Sequence, residues 1–554
     1  MSDLKPQLPR TGGRILVDAL QINGVDTVYC VPGESYLPVL DALHDTTSIR
    51  TYVARHEGAA SNMADAYGKL TGRPGICFVT RGPGATHASV GVHTARQDST
   101  PMILFIGQVD TGFAEREAFQ EVDYRQMFGG LAKWVTEIQD LTRIPEVLAR
   151  AFSVATSGRP GPVVVALPED VLFASGVAQD APPSRTAQSA PTASDMDAFR
   201  ALLAQARRPL MVIGGTGWDP QACADLQAFA LANDIPVAAA FRRQDLFDNC
   251  APNYVGQIGL GISPKLAQCV READLVIAVG TRLSEVTSGG YTLVQSPVPE
   301  QTLVHVHADA NELGRVYQAT LPINSGMRNF AQALAALPAL DVQWQSWTRT
   351  AREAYMAHST ARVPDIVPNG VDLSQVVAHL SEVLPADSII SNGAGNYTVW
   401  VHRFYRYRQS ATELAPTSGA MGYGLPAAIA AKLQHPEREV VCFAGDGCFM
   451  MYPQELATAM QYGAAMIVIV VNNGMLGTIR MHQEREYPGR VSGTDLRNPD
   501  FVALARSFGA YGETVERSED FPAAFARARA AGVAAVLELR TDPLQITPTA
   551  RLER

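Results

Sequence analysis

The chain has 554 residues, 47% of them apolar and 18% charged, with a formal net charge of −10. That length exceeds one ordinary core and predicts three or four domains, and the acidic balance excludes the basic surface that a nucleic-acid partner requires. The opening residues MSDLKPQLPRTGG carry no apolar signal core, and no uninterrupted apolar run approaches the ~18 residues of a membrane span, so the expectation is a cytoplasmic protein without a membrane partner. Seven cysteines, at positions 30, 77, 223, 250, 269, 442 and 448, are scattered without a CxxC pair, which reads as reduced thiols rather than disulfides or zinc.

Along the chain, short apolar strands alternate with longer helical patterns, the mark of parallel α/β sheets. The first block predicts strands over Thr27–Cys30, Thr51–Ala54, Gly75–Thr80 and Met102–Gly107. The run ASGVAQDAPPSRTAQSAPTAS, rich in Pro, Ser and Ala, has no hydrophobic period and reads as an extended linker. The middle block predicts strands at Leu210–Gly214, Leu275–Gly280 and Leu303–His307. A weaker break follows Trp344, where a polar helix around Thr348–His358 gives way to ARVPDIVPNG. The third block predicts strands at Ser388–Ser391, Glu439–Ala444, Met466–Val471 and Ala534–Leu539. The expected organisation is an N-terminal domain over 1–174, a linker over 175–194, a middle domain over 195–344, a second linker over 345–370 and a C-terminal domain over 371–554.

The third block carries the most informative spacing. Gly445-Asp446-Gly447 and the pair Asn472-Asn473 lie 27 positions apart, separated by a predicted helix over about Pro453–Tyr462 and a glycine stop at Gly463. A strand–helix–strand unit of this kind ends both parallel strands at one edge of the sheet, where ligands of open α/β sheets bind. A carboxylate and an amide oxygen meeting there suit Mg²⁺, which is usually held by one or two protein groups together with phosphate oxygens. A glycine-rich turn entering a helix also offers N–H groups to a diphosphate.

The run GDGCFMMYPQELATAMQYGAAMIVIVVNNGMLG resembles the signature of the thiamine-diphosphate enzymes, and the resemblance extends over nearly the whole chain. It implies three Rossmann-like parallel-sheet domains, binding respectively the pyrimidine, little or a nucleotide, and the diphosphate of the cofactor. It makes Asp446, the Asn473 side chain and the Met475 carbonyl the metal ligands, with Gly445, Gly447, Cys448 and Leu476 around the diphosphate. The segment RHEGAASNMADAYGKLTGRPG resembles the one whose glutamate bonds N1′ of the aminopyrimidine, which assigns that role to Glu57; on position alone an acidic residue there only complements a helix dipole. In TSGAMGYGLPAAIAAKL, Gly419 would face the 4′-amino group and Met421 would support the bent cofactor; Asn396, in GAGN, occupies the place of a diphosphate-contacting loop.

The run VTRGPGATHASVGVHTARQDSTPMILFIGQV, followed by Ala118-Phe119-Gln120-Glu121, is similar to the acetohydroxyacid synthase branch, and brings Phe119 and Gln120 close to the reacting carbon. His87 and His93 in that run read as ordinary helix residues. Gly33 and Glu34 form a pocket wall that departs from the branch's usual loop, and His482 stands where those synthases carry a tryptophan that shapes acceptor choice. In the middle block, Gly214, Gly215 and Gly217 lack the third glycine of a dinucleotide fingerprint, and Arg282-Leu283-Ser284-Glu285-Val286 replaces an RFDDR-like flavin signature, so the sequence leaves FAD open. The resemblance implies a thiamine-diphosphate and Mg²⁺ dependent carboligase, a transferase or lyase that decarboxylates a 2-oxo acid and joins the resulting enamine to a second carbonyl compound, working as a homodimer or dimer of dimers. The alternatives are a 2-oxo acid decarboxylase or C–C lyase, a flavin-linked oxidase, and a non-catalytic nucleotide-binding subunit, against which intact Glu57, Asp446 and Asn473 argue.

Overall fold

A computed structural model describes residues 8–362 and 369–552. The ends of the expected outer domains at 1–7 and 553–554, and the part of the second expected linker at 363–368, lie outside the described residues. The chain divides into two compact units, Met1–Ala187 and Gln188–Arg554.

In the first unit six parallel strands lie in the order Arg50–Val53, Thr27–Cys30, Gly75–Val79, Met102–Gln108, Pro162–Pro168 and Trp134–Glu137. The central strands Gly75–Val79, Met102–Gln108 and Pro162–Pro168 are buried along their whole length, which is why they read as continuous apolar runs rather than as alternation. The order reverses between Thr27–Cys30 and Gly75–Val79, a topological switch point that opens a crevice at the carboxyl edge. A Cβ at Gly75 would sit 1.8 Å from the carbonyl oxygen of Ala64. The missing side chain therefore lets helix Glu57–Thr71 lie tight against the sheet, with Glu57 at the helix start.

The second unit holds two further six-stranded parallel sheets. One runs Tyr254–Ile258, Val237–Ala240, Pro209–Ile213, Leu275–Val279, Thr302–His307, Leu321–Asn324. The other runs Glu413–Leu414, Ile389–Asn392, Val440–Gly445, Ile467–Asn472, Ala535–Arg540, Tyr511–Val515. The architecture is thus three parallel-sheet α/β domains. Helix Gln345–Ser359, in the stretch expected as the second linker, contributes Tyr355 to the core of the middle sheet beside Trp344. In the stretch expected as the first linker, Ser175–Gly176 pairs with Arg10–Thr11, and Thr192 caps the helix Ala193–Gln205 through a reciprocal pair with Asp195. No described helix is long and apolar enough to cross a membrane.

Candidate active site

The strand–helix–strand unit of the third sheet is built as the spacing predicts: Val440–Gly445 and Ile467–Asn472 are adjacent and parallel. Helices Asp446–Phe449 and Glu455–Gln461 lie between them, and Gly463 adopts φ +67° just past the second. The chain order reverses between Ile389–Asn392 and Val440–Gly445, so the loops after these two strands flank the switch-point crevice. A cavity of about 270 Å³ opens there, lined by Gly395, Asn396, Gly419, Met421, Asp446 and Asn473 among others. Gly445, Gly447, Cys448, Met475 and Leu476 line it as well.

Asp446 is buried to 2% exposure. Its Oδ1 accepts the N–H of Gly447 at 2.8 Å, and its Oδ2 accepts the N–H of Gly474 and the amide of Asn498, each at 2.8 Å. These partners are all neutral. Burial raises the acid's pKa above its usual value, and those hydrogen bonds pull the other way. A desolvated carboxylate with neutral donors, beside the amide of Asn473 and the carbonyl of Met475, makes an all-oxygen set that fits a hard divalent cation. The Asn473 oxygen accepts the N–H of Met475 at 3.2 Å, and the Met475 carbonyl accepts that of Gly477 at 3.0 Å. The Cys448 thiol lies between the Tyr397 hydroxyl at 3.4 Å and the Gly422 N–H at 3.2 Å. The Asn396 side chain is engaged with helix Gly477–Glu486: its oxygen accepts from Thr478 at 2.9 Å and its amide faces the Met481 sulfur at 3.7 Å. Gly419 has φ +69° with nothing within 4 Å of a built Cβ, so its turn leaves open space that a planar ring can use. His482 is exposed on the same helix and is not among the residues lining the cavity.

The first unit gathers a second group at its carboxyl edge. The Nδ1 of His56 accepts the Gly58 N–H at 2.9 Å and caps the helix that Glu57 begins. Glu57 keeps 14% exposure of its side chain, and its Oε2 lies 2.8 Å from Nδ1 of His87. His87, which reads from sequence as an ordinary helix residue, also stacks on His56 with ring centres 4.6 Å apart. Burial, with the neighbouring His87 second, holds the His56 pKa below its usual value. The carbonyl of Gln120 accepts the Gly82 N–H at 3.0 Å, which staples the loop carrying Phe119, 74% exposed, to the Arg81–Gly82 turn. Gln120 itself has φ +64°. A Cβ on Gly33 would meet Thr80 at 2.5 Å, so the glycine allows its loop to close on the next strand; Glu34 is exposed.

A family model matches within each of the three domains: thiamine pyrophosphate enzyme, N-terminal TPP binding domain, over 10–127; central domain over 196–334; C-terminal TPP binding domain over 393–539. This chain belongs to the thiamine pyrophosphate enzymes. Thiamine diphosphate is accordingly its cofactor. The enzyme is 33% identical over 536 residues to the acetolactate synthase large subunit of Corynebacterium glutamicum, covering 94% of this chain and 84% of that one. It is 32% identical to the acetolactate synthase isozyme 2 large subunit of Escherichia coli K12 (93% and 92% covered), and 30% identical to a probable acetolactate synthase large subunit of Methanocaldococcus jannaschii (97% and 93%).

Two residues of this thiamine pyrophosphate enzyme escape sequence reading. Arg242, 4% exposed and at φ +62°, reaches from the middle sheet to donate to the carbonyls of Pro416 and, at 2.8 Å, Gly393, bracing the loop after Ile389–Asn392 and the segment that leads to Gly419. Asn498 bridges Asp446 and Asn472. An arginine or asparagine far along the chain gives no local pattern; for Arg242 only the non-glycine left-handed backbone marks the position, and that needs coordinates.

Proposed function

We propose that the enzyme is an acetolactate-synthase-like carboligase that decarboxylates a 2-oxo acid and joins the remaining fragment to a second carbonyl compound, using Mg²⁺ with its thiamine diphosphate. The carrying observation is the buried Asp446 carboxylate, with only neutral hydrogen-bond partners, beside Asn473 and Met475 in the switch-point cavity. In this reading Asp446, Asn473 and Met475 hold the cation, Gly445, Gly447, Cys448 and Leu476 surround the diphosphate, and Gly419 and Met421 support the rings. Bound there, the cofactor supplies a nucleophilic carbon and takes up the charge left when CO₂ departs. Glu57 holds the proton exchanged with the aminopyrimidine. His87, its Nδ1 2.8 Å from one carboxyl oxygen, orients the other. Phe119 and Gln120 would cover the reacting carbon and keep water from it.

The test is incubation with cofactor, Mg²⁺ and a panel of 2-oxo acids and aldehydes, with products identified by mass. A branched hydroxy-oxo acid from pyruvate supports carboligation; free acetaldehyde as sole product would make the enzyme a decarboxylase.

We favour a middle sheet without flavin, with FAD as the alternative. A Cβ on Gly215 would be 2.0 Å from the Gly280 carbonyl oxygen, the Arg243 guanidinium donates to the Gly215 carbonyl, and Trp218 donates to that of Gly214 at 2.9 Å. The carbonyls of this glycine loop are therefore engaged by the protein's own side chains. Purified enzyme should show no absorbance band near that of flavin. The resemblance further supports a homodimer or dimer of dimers whose sites each draw Glu57 from one chain and Asp446 from another. Sedimentation tests the assembly, and co-expressing Glu57→Gln with Asp446→Ala chains tests the sharing: random two-fold pairing would restore about a quarter of the sites. The seven unpaired thiols agree with a reducing, cytoplasmic setting, which cell fractionation checks.

A further inference from the structure

Behind the Asp446 carboxylate a line of side-chain hydrogen bonds crosses the carboxyl edge of the third sheet. Asn498, in the segment leading to helix Phe501–Ser507, has one amide nitrogen and two acceptors: Asp446 Oδ2 at 2.8 Å and Asn472 Oδ1 at 2.9 Å. Both amide hydrogens are thereby used, and the amide cannot be turned over without setting its oxygen against two others. Asn472 passes the connection on, its own amide donating to Glu538 Oε1 at 2.6 Å. The second oxygen of Glu538 accepts from Thr514 at 2.9 Å, and Arg540 lies 3.1 Å from the first. Asp446 follows strand Val440–Gly445, Asn472 ends Ile467–Asn472, Glu538 lies in Ala535–Arg540 and Thr514 in Tyr511–Val515. These are four successive neighbours in the sheet.

The two asparagines of the Asn472-Asn473 pair are thus divided. Asn473 lines the cavity, whereas Asn472, 6% exposed, faces back into this line. A carboxylate oxygen has two lone pairs, and Asp446 Oδ2 accepts from Gly474 on the main chain and from Asn498 on a side chain. Rotation about the Cα–Cβ and Cβ–Cγ bonds of Asp446 would break these bonds. Mg²⁺ demands near-ideal octahedral geometry at short distance, whereas Ca²⁺ tolerates irregular and larger coordination, so a carboxylate held in one rotamer favours the smaller ion.

We infer that Asn498 is the positioning residue of the metal-binding carboxylate: it locks Asp446 to the sheet through Asn472 and Glu538 and so sets both the strength and the ion preference of the cation site. This rests on the reading of Asp446 as a metal ligand. Partners of this kind typically alter metal affinity 10- to 100-fold.

The experiment measures Mg²⁺ and Ca²⁺ dissociation constants by calorimetry at saturating thiamine diphosphate, and Mn²⁺ binding by the loss of the free-ion spin-resonance signal, for wild type, Asn498→Ala, Asn498→Ser and Asp446→Ala. Asn498→Ala should keep the wild-type circular dichroism and lose about 10- to 100-fold in Mg²⁺ affinity, with Ca²⁺ falling less, so that the Mg²⁺/Ca²⁺ preference narrows. Asn498→Ser can serve one acceptor of the two and should fall between; it carries the test if the alanine chain misfolds. Asp446→Ala should bind no ion at the site. Wild-type Mg²⁺ affinity in the Asn498 variants, or equal losses for both ions, overturns the positioning role while leaving the Asp446 reading intact if Asp446→Ala has lost the metal. Undiminished Mg²⁺ binding by Asp446→Ala overturns both.

Discussion

Raising the pH from 6.5 to 8 should remove one stabilising contribution from the second unit, that of the Glu413 carboxyl. Its side chain is fully buried beside strand Ile389–Asn392, where Oε2 accepts the Gln244 N–H at 2.6 Å and Oε1 lies 3.9 Å from Nε2 of the equally buried His402. Burial, reinforced by Asp245 and opposed by the Gln244 N–H, Arg243 and Arg242, pushes Glu413 up to about 8. Burial, with Arg242 second, pushes His402 down to about 3. The two act in different windows. A carboxyl whose folded pKa is raised contributes stability that is complete at low pH and is lost as pH rises from the unfolded value towards 8. An imidazole whose folded pKa is depressed contributes stability that is complete above its unfolded pKa and is lost as pH falls below it, so His402 and the other depressed imidazoles of this unit, His305, His307, His358, His379 and His435, oppose Glu413 near pH 6.5, and only the difference between wild type and a Glu413 variant isolates the carboxyl. The limiting slope for one proton is about 1.4 kcal/mol per pH unit, equivalent to a fall of a few degrees in Tm at most for a unit this large. Thermal unfolding of wild type and Glu413→Gln at pH 6.5, 7.2 and 8 is the assay. The mutant, which cannot ionise, should gain stability relative to wild type as pH rises, by up to that slope; parallel curves for the two proteins would mean that Glu413 is already ionised in the fold, and the reasoning would be wrong.

Arg242→Met removes two charge-assisted donors from the Pro416 and Gly393 carbonyls and should cost the second unit about 3 kcal/mol, with weakened cofactor affinity in calorimetry; unchanged affinity would leave Arg242 as packing only. Glu57→Gln should retain thiamine diphosphate yet slow exchange of the cofactor's C2 proton by at least ~10²-fold, and wild-type exchange, followed by NMR, would reduce Glu57 to a helix-start residue. His87→Asn, which keeps a donor for Glu57, should lose less in the same measurement than His87→Ala. His482→Trp should shift acceptor preference from pyruvate towards 2-oxobutyrate, and identical product ratios in competition would remove His482 from acceptor choice.

Many central strands were legible because burial on both faces leaves an apolar signature: Thr27–Cys30, Leu275–Val279 and Ile467–Asn472 stand within about a residue of where the residues predict them, although Pro162–Pro168, buried as fully, was not predicted. Others were not. Val237–Ala240 is mostly alanine, which favours helix in isolation. Tyr254–Ile258 carries Gly256 at φ +113° opposite a register shift, which breaks its alternation, and Trp134–Glu137 and Tyr511–Val515 are partly exposed edges. The glycine and asparagine signals round Asp446 are local and could be read. The contacts of His87 with Glu57, Asn498 with Asp446, and Arg242 with Gly393 span 30, 52 and 151 residues, and only the folded topology brings them together.

Helix Gly477–Glu486 supplies Gly477, Thr478 and Ile479 to the cavity, yet it buries none of its own residues, whereas Asp446 and strand Val440–Gly445 opposite belong to the sheet core. The cavity thus joins a wall of high local stability to one that can open without global unfolding, and amide hydrogen exchange should be fast along the helix and slow along the strand. Substitutions on the helix spend little of the protein's stability margin. The cation-binding wall is therefore the constrained partner over evolutionary time, and the helix is where new acceptor preferences can arise while the fold survives.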